Sequence, residues 1–229
     1  MSTTPDSDAL FQQWKGWLDT IHVDVRGLHV SRYIYRTVID IVKSNPNIQT
    51  DDTFYGWMTT NYVASQVIGI RRQLDNRADS VSLARLLQEV IKSPQVLSKE
   101  RYLAFYKADF PSKYAERNFE NLAGGRHEHV NPESVESDLS LLKNKAERIG
   151  KYASKKIAHW DEAGYEEIPT YDDLDNCLDY LEKLLKKYIN LFTADSLIRI
   201  LPTWQYDWTE IFQVPWRSTA TQDRLTLGG

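Results

Sequence analysis

Between Asn131 and His159 the apolar residues Leu142, Ala146, Ile149, Ala153 and Ile157 recur at steps of three and four. That spacing places them on one stripe of an α-helix, whereas a strand would scatter them over both faces. The same period runs through Trp14, Trp17, Leu18 and Ile21, then through Tyr35, Val38, Ile39 and Val42, and again through Leu174, Leu178, Leu181, Leu185 and Tyr188. No series of alternating strands and no internal repeat is visible. The pattern therefore predicts an all-α fold, a bundle of up-and-down helices.

Glycine and proline sit between the periodic runs and set their expected limits. The first run ends at "SNPN", because Pro46 biases Asn45 away from helix. A kink or break is expected within it at "HVDVRG", residues 22–27. A second helix carries its acids early and its arginines late, which complements the helix dipole. A third follows in "DSVSLARLLQEVIKSP", with Asp79 or Ser80 as the expected cap. "SKERYLAFYKADF" reads as a short helix, and residues 111–134 as a connection with helical pieces. Asn131 and Pro132 then open a helix expected to run unbroken through "YASKKIAHWD". Thr170 and Asp173 form a capping-box pattern for the last helix.

The C-terminal part is rich in aromatics and not periodic. Trp204, Trp208, Phe212 and Trp216 are expected to dock on the bundle, since so much aromatic area is poorly kept in water. The expected organisation is a single helical domain, 1–216. Its bundle core is about 8–196 and its docked segment 197–216, with a disordered tail at 217–229.

No apolar run approaches the roughly 20 residues of a membrane helix, and no secretory signal opens the chain. A cytoplasmic protein without membrane contact is expected. The single cysteine, Cys177, excludes a disulfide framework within the chain. A net charge of -4 argues against coating nucleic acid through a global field, but not against a local basic site.

The charge is polarised late in the chain. Lys143, Lys145, Arg148, Lys151, Lys155 and Lys156 face a single acid, Glu147, over residues 143–156. From Asp161 to Glu182 every ionisable group that carries charge at neutral pH is acidic. Two oppositely charged helix faces packed side by side would explain this, and so would a groove for phosphate.

Four residues counted along one side of the helix are Arg148, Tyr152, Lys155 and His159. A histidine there can move protons near neutral pH, and the cations can hold phosphate. Asp161 is placed to orient the imidazole. Lys151 and Lys156 add to the basic surface. The bland account is a histidine at a helix end, favoured by the dipole, among solvated lysines.

Arg71, Arg72, Asp75, Arg77 and Arg85 form a second cluster. It is read either as dipole and salt-bridge complementation or as a source of a guanidinium for the His159 site. His127 and His129 stand two apart in a polar loop, a weak metal signal without a third ligand. His22 and His29 fit no motif and read as core-edge or surface residues. There is no phosphate loop, GxGxxG, HExxH or GxSxG.

The stretches "IRRQLDNRADSVSLARLLQEV", "KYASKKIAHWD" and "YDWTEIFQVPW" resemble the HEPN superfamily, and within it the abortive-infection (Abi U-type) proteins of bacterial phage resistance. The resemblance extends from about Phe54 to Trp216. It implies an all-α bundle that pairs as a homodimer. It also implies metal-independent cleavage of RNA by the RNA's own 2′-hydroxyl, with no cofactor. The histidine of the family's Arg-x4-6-His motif matches His159. The arginine positions of that rule fall on Tyr152, Ala153 and Ser154, none of them basic; Arg148 comes too early and Lys155 too late. Arg71, Arg72 or Arg148 would have to supply the missing charge.

Three readings follow. One is an RNA-cleaving defence or toxin-like protein built on His159, Lys155, Asp161 and Arg71 or Arg72. Another is a non-catalytic helical module that binds RNA or a protein partner, such as an antitoxin, through the same groove. The third is unrelated chemistry using carboxylates and His127/His129.

Overall fold

The computed structural model describes residues 6–49, 53–107, 111–154 and 168–214. Among them the chain is helical, with no extended strand and one isolated bridge between Ser98 and His129. The all-α bundle expected from the periodicity is what the chain forms.

Helix α1 (Ser7–Ser44) is unbroken, and Asp6 caps it by accepting from Asp8 N at 3.2 Å. The kink expected at "HVDVRG" is absent: Ile21, Val25 and Leu28 keep that stretch in the core, with Gly27 on the solvent side. The helix is about 57 Å long at 1.5 Å per residue. It spans the molecule and serves as its backbone.

Helix α2 (Thr53–Gln73) returns antiparallel to α1. Tyr35 meets Thr59, Leu28 meets Gln66, and Asp24 meets Arg72. The two helices pack so closely at Gly69 that a Cβ there would clash with Leu28 Cδ2. Helix α3 (Leu83–Lys92) is capped by Ser82, whose hydroxyl accepts from Arg85 N. The cap lies two or three residues later than expected, because Asp75 and Ser80 are absorbed by the preceding turn. Helices α4 (Lys99–Leu103) and α5 (Ser112–Ala123) fill the predicted short elements. Gly124, at φ 84°, ends α5 in the left-handed conformation glycine tolerates.

The long helix expected from Asn131 to His159 bends. Helix α6 (Pro132–Lys145) starts on the predicted Asn131 cap and gives way at Ala146 (φ -95°, ψ 0°) to α7 (Glu147–Tyr152). Hydrogen bonds still cross the bend, from Ala146 N to Leu142 O and from Gly150 N to Ala146 O. The stripe Leu142, Ala146, Ile149 and Ala153 is fully buried. The bend lets α6 follow α3 and α8 while α7 turns along α2. Periodicity survives such a bend, so it could not reveal it. Positions 155–159 of the expected helix lie outside the described residues.

Helix α8 (Tyr171–Thr193) carries the predicted capping box of Thr170 and Asp173, and its predicted face Leu174, Leu178, Leu181, Leu185 and Tyr188 is buried. It runs antiparallel to both α1 and α6. Beyond it, Ile200 is buried and Trp204 stacks on Tyr33 of α1, with centroids 5.8 Å apart. Trp208 meets the same ring edge-on, and Phe212 packs on Trp208. Trp216 and the tail lie outside the described residues.

Candidate functional site

Arg148 of α7 reaches across to the residues that lead into α8. Its guanidinium lies 3.0 Å from Asp173 Oδ2 and 3.5 Å from the carbonyl of Ile168. Thr170 donates to the same carboxylate through its backbone N–H and its hydroxyl. Those Thr170 bonds, with Arg148 beside them, hold the Asp173 carboxyl below the usual range. One turn on, Lys151 pairs with Glu147 at 2.6 Å, and Tyr152 packs half-buried against the core. Lys155, Lys156, His159 and Asp161 lie outside the described residues.

The arginines of α2 lie toward the far end of the same helix pair. Arg72 grips both oxygens of Asp24, and Gln73 donates to the same carboxylate. Arg71 is exposed on the last turn. Ten residues separate Arg72 from Tyr62, about 15 Å along the helix. Tyr62 marks the level of Tyr35 and Tyr171, the end of the bundle where Arg148 sits. Arg77 pairs with Asp75, and Arg85 lies over the Trp17 ring at 4.2 Å. For Arg72, Arg77 and Arg85 the structure shows local pairing.

The acidic stripe of α8 has a second partner, on α1, besides the basic run expected beside it. Asp173 meets Arg148 as the charge pattern implied, but Asp175 and Asp179 are held from α1. Arg32 lies 2.7 Å from Asp179, and Arg36 2.5 Å from Asp175. His29 completes the group. It is buried; its Nε2 donates to the Leu178 carbonyl at 3.2 Å, and its Nδ1 accepts from Arg32 at 3.1 Å. A carbonyl can only accept, so the proton sits on Nε2. Burial and the Arg32 charge push the His29 pKa down. Glu182, 3.5 Å from Nδ1, would oppose that, yet it already pairs with Lys186. The neutral tautomer follows.

The result is a cleft of about 380 Å³ between α1, α8 and Leu201, with its arginines matched by carboxylates. Its signal was readable: His29, Arg32 and Arg36 fall at steps of three and four, opposite Asp175, Asp179 and Glu182 at the complementary steps. Beside it Tyr35 stacks flat on Tyr62, centroids 3.9 Å apart, and shares a 2.8 Å hydroxyl contact with Tyr171.

His129 donates through Nδ1 to the Val130 carbonyl. Among the described residues no group of three metal-ligating side chains converges, with His127 or elsewhere. Cys177 is buried, and burial pushes its thiol up to about 12, so it is no nucleophile.

The model of the AbiU2 HEPN family matches residues 27–210. The chain belongs to the AbiU2 HEPN family. The match begins at Gly27, so in this HEPN chain it takes in α1 from Gly27 onward and extends to Glu210. That is a wider span than the resemblance beginning near Phe54. No curated protein and no solved structure matches the chain. No described helix is long and apolar enough to cross a membrane.

Proposed function

We propose that this HEPN protein is a metal-independent endoribonuclease of phage defence or of a toxin–antitoxin pair, acting from the stretch that follows α7. In this reading His159 transfers the proton and Asp161 orients its imidazole. Lys155 and Arg148 hold the phosphate, with Lys151, Tyr152 and Lys156 along the RNA. Arg71 and Arg72 belong to the same reading as long-range cations. The RNA's 2′-oxygen attacks phosphorus, the bond to the 5′-oxygen breaks, and the leaving oxygen takes a proton. A 2′,3′-cyclic phosphate and a 5′-hydroxyl remain. Pairing of two copies, control by an antitoxin and a cytoplasmic location go with this reading.

One observation carries it. Arg148 is a half-exposed guanidinium on α7 that reaches the Ile168 carbonyl and Asp173, and Asp173 keeps donors from Thr170 if Arg148 turns to a phosphate. Membership of a HEPN family supports the reading, since the HEPN resemblance implies this chemistry. Purified protein is expected to cut RNA to cyclic-phosphate ends, and His159→Ala to abolish cutting. Equal cutting by His159→Ala would overturn the assignment.

A second reading has its own support: Arg72 and Arg148 both already hold carboxylates. A non-catalytic module would bind RNA or a protein through the same basic side without turnover. It predicts weaker binding when Lys151, Lys155 and Lys156 all become Glu. Binding that ignores this triple change excludes the groove.

A further inference from the structure

The α1–α8 cleft of about 380 Å³ has no part in the reading above. Its size falls within the range of small-molecule sites, about 300–1,000 Å³. Its walls carry both signs of charge and a ring: Arg32, Tyr33 and Arg36 come from α1, Asp175 and Asp179 from α8. Arg32 pairs with Asp179 at 2.7 Å and Arg36 with Asp175 at 2.5 Å. Two cations matched by two carboxylates leave little net field, so a phosphate or a simple cation gains little there. A neutral ligand that carries donors and acceptors together gains more.

The pairs leave polar capacity over. Asp179 holds Arg32 through Oδ1, and its side chain is 64% exposed, so the carboxylate can accept further bonds. Arg36 meets Asp175 through Nη2, at one end of a planar fork of donors, and is 44% exposed. Among the described residues, Asp175 Oδ1 is buried without a hydrogen-bond partner, 3.6 Å from Arg32. The Tyr62 hydroxyl is also buried and unpartnered, and the charges of Asp175, Arg36 and Arg32 act on it. Burial, then Asp175, pushes it up to about 12, which keeps it a donor. Buried polar atoms normally find partners, so two orphans beside one cleft point to a polar occupant. His29 is not available to it. Both its ring nitrogens are used, on the Leu178 carbonyl and on Arg32, and it fixes Arg32 in place.

We infer that this cleft binds a guanine base. Guanine shows acceptors O6 and N7 on one edge and donors N1–H and the 2-amino group on the next. A guanidinium fork matches the first edge and a carboxylate the second. Arg36 serves the acceptors and Asp179 the donors. Their two ion pairs stand one helix turn apart, about 5.4 Å, comparable with the span of the base between those edges. Tyr33, backed by Trp204 at 5.8 Å and Trp208 at 6.2 Å, supplies a ring on which the base stacks. Adenine would turn its N1 acceptor toward the carboxylate, and the pyrimidines lack N7.

The same base comes from a free nucleoside or nucleotide, or from single-stranded RNA, where the cleft would read sequence. The inference does not rest on cleavage by His159, since the cleft is built from α1 and α8 and binding needs no turnover.

The test is equilibrium dialysis of the full chain against guanosine, inosine, adenosine and inorganic phosphate. Guanosine is expected to bind with a Kd of about 0.1 mM. Inosine, which lacks the 2-amino donor, and adenosine are expected to bind at least about tenfold more weakly, and phosphate not to bind. Asp179→Asn and Arg36→Lys, both on exposed side chains, should each weaken guanosine at least about tenfold. Tyr33→Ala should do the same through lost stacking. Circular dichroism should stay unchanged, and if one variant fails to fold the other two decide. A 2′-O-methyl oligouridine with one central guanosine cannot be cut through a 2′-hydroxyl, and it separates the sources. Tighter binding than guanosine alone assigns RNA; equal binding assigns the free form. No guanosine binding up to about 1 mM, equal binding of inosine and adenosine, phosphate in place of guanosine, or wild-type affinity in the variants overturns the inference. Cleavage is read separately from RNA ends, so either reading can fail without the other.

Discussion

Arg32 lies 3.1 Å from His29 Nδ1, and burial, joined by this contact, keeps the imidazole neutral within the α1–α8 interface. The pH dependence of stability follows from it. The folded pKa of His29 lies below the ordinary histidine value of 6.5, so the unfolded chain binds more protons just below that pH. The contribution is complete above pH 6.5 and is lost as pH falls through the window toward the folded value. One such group changes stability by at most about 1.4 kcal/mol per pH unit. Urea unfolding of wild type and His29→Gln at two pH values, one on each side of 6.5, tests this. The wild type should lose more on acidification, and parallel losses would refute the assignment.

The Arg148–Asp173 pair should show unequal costs. Asp173→Ala removes the capping box as well as the pair and should cost about 1–2 kcal/mol. Arg148→Ala removes only a partly exposed partner and should cost at most about 1 kcal/mol. Urea midpoints of the two single variants decide it, and a larger loss from Arg148→Ala would contradict the geometry.

Two glycines predict opposite signs. Gly69→Ala drives a Cβ into buried Leu28 and should destabilise by about 1–3 kcal/mol. Gly16→Ala meets open space on an exposed turn of α1 and should stabilise by about 0.5–1 kcal/mol. Melting curves of the pair suffice, and a shift of the same sign in both would be the wrong result.

Gln73 is buried and joins three elements, since Nε2 donates to Asp24 and Oε1 accepts from Leu83 N. Gln73→Met keeps the volume but orphans the Leu83 N–H, and should cost about 1–3 kcal/mol. A neutral effect in urea unfolding would show that the N–H finds another acceptor.

Local rules were readable where a few adjacent residues decide the outcome. The Thr170 box, the Asn131–Pro132 start and the buried stripe of α8 are of this kind. The Ser82 cap was missed because Asp79 and Ser80 offer the same chemistry nearby, and only the turn from Asp75 chooses between them. The bend at Ala146 was missed because a hydrophobic stripe keeps its period through it. The residues were correctly seen as helical at "HVDVRG", yet the expected break did not form, since burial of Val25 outweighs one glycine.

For the candidate site the limits differ. The sequence names Arg148 and puts Asp173 in the acidic run expected beside it, but it does not state their one-to-one contact. The cluster of His29, Arg32, Asp175 and Asp179 joins residues about 150 positions apart in the chain, and no local pattern states that pairing. Complementary charge spacing on two helices was the available clue. In the sequence His29 reads only as a core-edge or surface residue, because nothing local assigns α1 a neighbour.

Cys177 has a practical consequence. The only thiol of the chain is sealed in the core and held protonated. For site-directed spectroscopy the wild-type protein is therefore already a blank background. A cysteine engineered on α7 or on α2 would take a spin label or fluorophore alone, without removal of the native Cys177.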